Sequence, residues 1–310
     1  MIRVDHLTKY YGERLAVDNI SFNVEKGEIV GLLGPNAAGK TTTMRMLTGF
    51  LMPTKGNAYI DECNMMTNSL EGRRLIGYMP ESTPLYMDMT VRDYLSFFAK
   101  LRGLNEKYTK SRIDEVVELC NLEEYIDVIL GKLSRGFKQR VNVAQSIIHN
   151  PKVLILDEPT VGIDPIQVAQ TRNLIKALGK EHTVLISTHI LPEVSVICSR
   201  VIIIHRGKIV AEDKIENLSA VLKGGRRIKV EVKGPVDKVT DRLRGLPGVK
   251  RVMREGDFYI LETAADIDPR ARITETIVRN GWALLSIDTI EMSLEEIFLQ
   301  LTTNEDSNNE

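Results

Sequence analysis

A nine-residue segment has the residue types needed to bind a chain of phosphates. GPNAAGKTT, residues 34–42, follows the apolar stretch VGLL at 30–33 and fits the pattern G-x-x-x-x-G-K-[ST]. Its glycines allow successive backbone N–H groups to face an anion, and a helix beginning at Lys40 would direct its positive dipole end at that anion. Lys40 would bridge the β- and γ-phosphates, and the Thr41 hydroxyl would ligate Mg²⁺. The segment therefore predicts a site for a nucleoside triphosphate; the alternative is a glycine-rich strand-to-helix turn without a ligand.

Two adjacent carboxylates end a second apolar stretch, VLILDEP at 153–159. Asp157 stands where a carboxylate can reach a Mg²⁺ ion, and Glu158, one residue further, can act as a base toward an attacking water. Taken alone, two acidic residues would indicate only the end of a strand. Together with the phosphate-binding segment, they predict hydrolysis of the bound triphosphate.

Short apolar strands must position these residues. They occupy VGLL at 30–33, VLIL at 153–156, TVLIST at 183–188 and VIIIH at 201–205, and helical patterns separate them. This order predicts a largely parallel sheet covered on both faces, whose ligands bind at the carboxyl ends of the strands. Between about residues 86 and 150 the pattern becomes helical, which predicts a helical subdomain inserted into the α/β core.

A domain boundary is predicted at Gly224-Gly225, because the sequence pattern changes after it. Residues 226–301 follow the order βαββαβ, which predicts a small α+β domain of the ferredoxin-like type, closed by a helix at 293–302. Its first strand has Ile228, Val230 and Val232 on the core side and Lys229, Glu231 and Lys233 on the exposed side, and Trp282 is predicted to pack in the core. Residues 1–222 form the first predicted domain, and residues 302–310 a disordered tail.

Composition excludes several classes of protein. The chain has 310 residues, 43% of them hydrophobic, and a formal net charge of −1, so a global attraction to nucleic acid is not expected. It has no apolar run of the roughly 18 residues needed to span a bilayer, and its N-terminus lacks the apolar core of a signal peptide. We therefore expect two globular domains and no nucleic-acid partner.

Three further segments reveal a resemblance to a known family. LSRGFKQR at 133–140, LDEPT at 156–160 and ISTHI at 186–190 resemble the signature, Walker B and switch-histidine motifs of the ABC ATPases, in the order and spacing of that family over about residues 2–220. The chain is most similar to the ATPase subunits of bacterial ABC-2-type exporters, such as gliding-motility and antibiotic-exporter ATPases. That group often shows GYxPE, LSxGxxQR and a closing SLEExF segment, as this chain does.

The resemblance implies a P-loop ABC ATPase domain with a mostly parallel core, an antiparallel β subdomain and the helical insertion. It implies ATP and Mg²⁺ as cofactors, bound in the interface of a head-to-tail dimer. The expected catalytic residues are Glu158 and His189, and the expected Mg²⁺ ligands are Thr41, Asp157 and Glu81. The residues expected to bind the nucleotide, from this chain or its partner copy, are Tyr11, Val17, Gly34, Pro35, Asn36, Ala37, Ala38, Gly39, Lys40, Thr41, Thr42, Ser134, Gly136 and Asp164.

Several of these residues have specific implied roles. Tyr11 would stack on the adenine, with Val17 against the other side of the base; adjacent Tyr10 is the alternative aromatic. Ser134 and Gly136 would approach the γ-phosphate bound to the opposite subunit, although Ser134 alone is also a good helix cap. His189 would hold the γ-phosphate and the catalytic water, and Asp164 would contact the partner subunit.

Three positions depart from the family pattern. Glu81 replaces the usual glutamine, and its charge would strengthen contact with the metal. Arg135 replaces the first glycine of the signature, but Gly136 remains for the close approach to phosphate. Ala37 replaces a glycine at a position often held at positive φ, where an alanine costs about 1 kcal/mol. We still expect a working ATP hydrolase.

The sequence predicts a transporter motor that acts through separate transmembrane subunits at the cytoplasmic face of the cell membrane. Its docking groove should lie between residue 81 and the helical insertion, where Leu85, Tyr86, Met87 and Met89 are either exposed or packed within a loop. The alternatives are a soluble ABC ATPase and a regulator whose C-terminal domain binds a ligand. We further predict that the C-terminal domain pairs with its copy in the partner subunit.

Overall fold

The computed structural model describes residues 1–215, 227–263 and 268–290. The chain divides into two compact units, Met1–Asp213 and Lys214–Glu310, each with a core of its own. The predicted closing helix at 293–302, the tail at 302–310 and the boundary glycines 224 and 225 lie outside the described residues.

A six-stranded sheet forms the centre of the first unit. Its order is β10-β9-β3-β8-β7-β6, and the pairs from β9 to β6 are parallel. The strands are β3 (Ile29–Leu33), β6 (Ile76–Met79), β7 (Val153–Asp157), β8 (Thr183–Thr188), β9 (Arg200–His205) and β10 (Lys208–Lys214). The predicted parallel sheet is therefore confirmed.

This sheet is buried on both faces, as its uninterrupted apolar strands require. In β7, Val153 and Ile155 pack in one core cluster, whereas Leu154 and Leu156 pack in the other. The connecting helices are α1 (Lys40–Leu47), α2 (Ser69–Arg74), α6 (Pro165–Leu178) and α7 (Leu191–Ile197).

An antiparallel sheet covers one of these faces through a shared core that also includes α1. It consists of β1 (Ile2–Tyr11), β2 (Arg14–Val24), β4 (Lys55–Ile60) and β5 (Cys63–Asn64), in the order β2-β1-β4-β5. Gly12 at φ 60° permits the tight turn between β1 and β2. The antiparallel β subdomain is therefore confirmed.

Three helices pack on the other core: α3 (Val91–Leu101), α4 (Glu106–Leu119) and α5 (Arg135–Ile147). Thr90, Asn105 and Ser134 cap their N-termini with side-chain oxygens. Single 3₁₀ turns occupy Glu123–Tyr125 and Leu130–Lys132. The predicted helical region is present.

The segment before α3 is only partly exposed. Tyr86 and Met87 are exposed, whereas Leu85 and Met89 are partly buried against the helical core. Two of these four apolar residues are therefore exposed and two are packed, and the docking groove stays a prediction.

The second unit has the predicted order βαββαβ: β11 (Arg227–Lys233), α8 (Val236–Arg244), β12 (Val249–Glu255), β13 (Phe258–Thr263), α9 (Arg270–Arg279) and β14 (Ala283–Ile290). The sheet order is β12-β13-β11-β14, and all three pairs are antiparallel. This is the topology of a ferredoxin-like domain.

Side-chain positions in the second unit differ in part from the prediction. Ile228, Val230 and Val232 are buried as expected. Lys229 and Glu231 were predicted to be exposed but are half-buried, and the Lys229 ammonium lies 3.7 Å from the centre of the Phe258 ring. A cross-strand aromatic ring can cover the aliphatic part of a lysine, which a period-two pattern does not reveal. Trp282 is half-buried against the core rather than within it.

Within the described ranges, no helix combines the length and the apolar character needed to cross a membrane.

Candidate functional site

The phosphate-binding loop joins β3 to α1 and has two residues in the left-handed region of backbone space. Ala37 has φ 64°, which confirms the strained alanine predicted there, and Gly39 has φ 108°. A Cβ on Gly39 would stand 2.7 Å from the Ala16 carbonyl oxygen, so only glycine fits this position. The loop and the helix that begins at Lys40 therefore have the form predicted for a phosphate site.

The Lys40 side chain is buried beneath this loop, with 6% of its surface exposed. Its ammonium donates hydrogen bonds to the Gly34 carbonyl at 2.7 Å and the Pro35 carbonyl at 3.1 Å. It also lies 3.3 Å from the Glu158 carboxylate. A buried cation needs such partners, and they hold the lysine against the loop.

Glu158 joins the loop to the switch histidine. Its Oε1 pairs with Lys40, and its Oε2 lies 2.9 Å from His189 Nδ1. Glu158 has φ 50°, and its N–H donates to both the carbonyl and the hydroxyl oxygen of Ser187 at 3.1 Å. The neighbouring strands β7 and β8 thus fix a glutamate in a costly backbone conformation, a kind of strain that is common at functional sites.

Asp157 has an environment suited to a cation. Its side chain is fully buried; Oδ1 accepts a hydrogen bond from the Thr41 hydroxyl at 3.3 Å and another from the Ser187 hydroxyl. Within the described part of the chain, Oδ2 is buried without a hydrogen-bond partner. Burial raises the pKa of the Asp157 carboxyl, and the Glu81 and Glu158 carboxylates raise it further.

These residues fit a Mg²⁺ ion that is shared with phosphate. A magnesium ion is commonly held by one or two carboxylates plus the phosphates of the substrate. Among the described residues, no cluster of three His, Cys, Asp or Glu side chains forms a metal site by itself. Asp157 Oδ2, which has no partner in the described part of the chain, and the nearby Thr41 hydroxyl therefore suit a metal whose coordination the substrate completes.

One cavity of about 660 Å³ unites most of the predicted site. Its lining includes predicted residues from five parts of the chain: Tyr11, Asn36, Ala37, Ala38, Gly39, Lys40, Thr41, Thr42, Glu81, Glu158 and His189. Tyr11 lines the cavity, whereas Tyr10 does not. Gly34 and Pro35 take part through the carbonyls that bind Lys40.

Three residues of the cavity lining were not predicted from the sequence: Arg14, Ala16 and Val161. Arg14 pairs directly with Tyr11 across the β1–β2 turn, so its position in the hairpin was the available signal. The structure also corrects the expectation for Val17. This residue is fully buried beneath the loop, beside Gly39, and does not line the cavity, because alternation along β2 turns its side chain into the core.

Asp157 is fully buried at the end of β7 and does not line this cavity. Three further predicted residues lie at the starts of two helices outside it. Ser134 caps α5 and accepts a hydrogen bond from the Phe137 N–H at 3.4 Å. Asp164 caps α6 and accepts from the N–H groups of Ile166 and Gln167 at 3.1 and 3.0 Å. Neither these two residues nor Gly136 lines the cavity of their own chain.

The two helix starts are adjacent in the structure. A Cβ on Gly136 would stand 2.7 Å from the Gln167 side chain. A Cβ on Gly162 would stand 2.2 Å from the Arg135 guanidinium carbon, so Arg135 packs directly on this glycine. The signature segment and the segment that follows Walker B therefore form one surface.

The fold and the cavity together define a P-loop ATPase of the ABC class, with a helical insertion that carries the signature segment. The family model described as ABC transporter matches residues 17–161. The chain is 36% identical to the bacitracin transport ATP-binding protein BcrA of Bacillus licheniformis over 308 residues, which cover 97% of each chain. This chain belongs to the ABC transporter ATP-binding proteins.

Other comparisons agree. The linearmycin resistance ATP-binding protein LnrL of Bacillus subtilis is 33% identical, over 97% of this chain and 98% of its own length. A solved ATP-binding subunit of an ABC transporter matches 72% of this chain and 93% of its own, with a TM-score of 0.65 and 27% identity. A dimeric cassette in a post-hydrolysis state with ADP and Pi matches 69% of this chain and 99% of its own, with a TM-score of 0.63 and 25% identity.

The predicted fold class and the predicted function as the ATP-binding, ATP-hydrolysing motor subunit of an ABC transporter are thereby confirmed.

Proposed function

We propose that this chain binds ATP with Mg²⁺ in the cavity beside the phosphate-binding loop and hydrolyses it there to drive an exporter. The observation that carries this proposal is the convergence of Lys40, Thr41, Glu81, Glu158 and His189 on one cavity. These residues come from separate parts of the sequence and have the chemistry that phosphoryl transfer to water needs.

The loop supplies the phosphate contacts. Its backbone N–H groups and the N-terminus of α1 face the phosphates, and the Lys40 ammonium neutralises their charge. Tyr11 offers an exposed aromatic face at the cavity edge, on which the adenine stacks. Arg14, directly across the hairpin, adds a positive charge to the same edge.

Thr41, Asp157 and Glu81 hold the Mg²⁺ ion. When bound, the ion neutralises negative charge on the phosphate oxygens. Asp157 fits this role because one carboxylate oxygen accepts from the Thr41 hydroxyl and the other is buried without a partner among the described residues. Glu81 contributes a second carboxylate at the cavity wall.

Glu158 and His189 act on the attacking water. One oxygen of Glu158 pairs with Lys40 and the other faces His189. A γ-phosphate competes for Lys40, so its binding releases Glu158 to accept a proton from water. His189 then holds the γ-phosphate and the water in place.

A second copy of the chain completes the site. Ser134 and Gly136 lie outside the cavity of their own chain, at a helix N-terminus suited to phosphate. We assign them to the γ-phosphate bound by the partner copy, with Asp164 in the same interface. A dimeric relative of the cassette supports this arrangement.

The dimer drives separate transmembrane subunits. We therefore propose that the chain binds at the cytoplasmic face of the membrane. The relatives' names include bacitracin transport, linearmycin resistance and Nod factor export, and all three align over at least 97% of this chain. The third of these names states export, and each name gives a different compound. We therefore propose export as the role of this chain and assign cargo selection to the membrane subunits.

ATP turnover by the purified full-length chain tests the enzymatic part. We expect hydrolysis that stops with EDTA and returns when Mg²⁺ is restored.

Membrane association tests the transporter part, using co-expression with a multi-span protein encoded beside this gene. The tagged chain should enter the membrane fraction only when that protein is present. Retention in the soluble fraction in both cases would favour the alternative of a soluble ABC ATPase or regulator.

A further inference from the structure

A buried glutamate outside the ATP cavity holds together the two segments that carry the proposed catalytic residues. Glu193 lies in α7 with 3% of its surface exposed and does not line the cavity. A carboxylate is costly to bury unless polar groups surround it, so its partners indicate its role.

One oxygen of Glu193 binds two threonine hydroxyls. Oε2 accepts a hydrogen bond from Thr160 Oγ1 at 2.6 Å and another from Thr188 Oγ1 at 3.1 Å. Both threonines are buried. The Thr188 hydroxyl in turn accepts a hydrogen bond from the Ile190 N–H at 3.0 Å, which fixes the loop on either side of His189.

The two threonines lie close in the sequence to the proposed catalytic residues. Thr160 follows Glu158 by two residues, and Thr188 directly precedes His189. Glu193 therefore joins the backbone after the proposed base to the backbone before the switch histidine, and those two side chains lie 2.9 Å apart at Nδ1 and Oε2.

The other oxygen of Glu193 faces the helix that begins in the proposed dimer interface. Oε1 lies 3.7 Å from an Arg172 guanidinium nitrogen, and Arg172 belongs to α6, the helix capped by Asp164. Glu193 thus contacts Thr160 after the Walker B strand, Thr188 before His189 and, at a longer distance, Arg172 in α6.

We propose that Glu193 is a positioning residue that sets the distance between Glu158 and His189 by binding the hydroxyls of Thr160 and Thr188. The inference rests on the catalytic roles proposed above for Glu158 and His189. Glu193 has no contact with the ATP cavity, so its loss should reduce turnover and leave ATP affinity unchanged.

The test compares Glu193→Ala and Glu193→Gln with Val196→Ala, a control at an exposed position of the same helix. We expect Glu193→Ala to lower kcat about tenfold or more, because hydrogen bonds to a charged group are lost, with KM and the dissociation constant of ATP within about twofold of the wild type. Glu193→Gln should recover most of the turnover, since its amide oxygen accepts from the same two hydroxyls. Val196→Ala should behave as the wild type.

A threonine variant covers the possibility that Glu193→Ala does not fold. Thr160→Val keeps the side-chain shape but removes one of the two hydroxyls, and should lower kcat several-fold at unchanged ATP affinity. In the double variant Glu193→Gln/Thr160→Val, the loss should differ from the product of the two single losses, because contacting residues are energetically coupled.

Three results would each overturn this proposal. The first is a kcat of Thr160→Val, or of folded Glu193→Ala, within about twofold of the wild type. The second is a fall in ATP affinity that accounts for the lost turnover. The third is an equal loss of kcat in Glu193→Gln and Glu193→Ala. Glu158→Gln, measured in parallel, separates this failure from a wrong catalytic assignment. If Glu158→Gln stops hydrolysis while the Glu193 variants turn over normally, only the positioning role is lost.

Discussion

The Lys40 ammonium lies 3.3 Å from the Glu158 carboxylate, and both side chains are almost fully buried. The residue proposed to bind phosphate therefore pairs directly with the residue proposed to act on water. In the proposed mechanism, the phosphates of ATP compete with Glu158 for Lys40, which would link nucleotide binding to release of the base. The first two predictions test each side of this pair.

Glu158→Gln should keep ATP binding and lose hydrolysis by on the order of 100-fold or more, the scale of a missing general base. The amide oxygen can still accept a hydrogen bond from Lys40, whose ammonium also keeps its Gly34 and Pro35 carbonyl partners, so the fold should be preserved. ATP should then trap a stable dimer that light scattering can detect. Glu181→Gln, at an exposed glutamate, is the matched control. Near wild-type turnover in Glu158→Gln would exclude Glu158 as the base.

Lys40→Ala should abolish measurable ATP binding in isothermal titration calorimetry, because the phosphates lose their main counter-charge. It also leaves the Glu158 carboxylate without its cation, which should lower the free energy of unfolding by about 3 kcal/mol, the scale for breaking a buried pair. Lys180→Ala removes an exposed lysine and should change neither quantity. Unchanged ATP affinity in Lys40→Ala would contradict the phosphate-loop assignment.

Asp157→Asn should reduce the affinity for Mg²⁺ in the presence of ATP, since a neutral amide replaces a buried carboxylate. Burial raises the pKa of the Asp157 carboxyl, so acidification protonates it earlier than an exposed aspartate. In the wild type, Mg²⁺ affinity should therefore begin to fall at a higher pH than the ordinary aspartate range predicts. Magnesium titrations at several pH values check this, with exposed Asp114→Asn as the control. A pH profile that is identical in Asp157→Asn would remove Asp157 from the metal site.

His149 should make the first unit sensitive to acid. Burial, together with the nearby Arg102 charge, lowers the pKa of His149 from 6.5 to about 4, and its Nε2 lies 3.0 Å from the Ile76 carbonyl oxygen. His149 binds a proton more readily in the unfolded chain than in the folded chain. Its contribution to the free energy of unfolding is therefore present above pH 6.5 and is lost as the pH falls toward 4. Because the ring is partly exposed, we expect a loss of about 2 kcal/mol.

Urea unfolding at several pH values measures this loss, and His149→Gln should show a smaller decrease over the same range. Equal acid sensitivity of the variant and the wild type would exclude His149 as the source.

A chain that ends after residue 222 should keep the ATP site but dimerise more weakly. Solved cassettes match only 69–72% of this chain at 93–99% of their own length, which supports independent folding of the first unit. If the second unit pairs with its copy, it raises the effective concentration of the two ATPases. Sedimentation velocity with ATP compares both forms in the Glu158→Gln background. Equal dimer affinity of the full and the truncated chain would contradict pairing of the second unit. It would favour a role of that unit in ligand sensing or in contact with a membrane partner.

The sequence alone determined the features that short segments encode. The phosphate-binding loop, the Asp157-Glu158 pair and the histidine after TVLIST each lie within fewer than ten consecutive residues. Backbone geometry over such spans follows from local residue types, so the loop was predictable. The strained Ala37 was expected from the resemblance to the family, whose loops often hold that position at positive φ. The βαββαβ order of the second unit followed likewise from alternating and helical periods.

Only the tertiary structure decided which side chains meet. The alternation of β2 buries Val17 and leaves Ala16 at the cavity, although both were near the expected adenine edge. Glu193 binds Thr160, 33 residues away in the chain, because β7 and β8 are neighbours in the sheet. Strand order is set by non-local packing over the whole core. Contacts between the carboxyl ends of different strands, including Lys40 with Glu158, therefore appear only when the chain has folded.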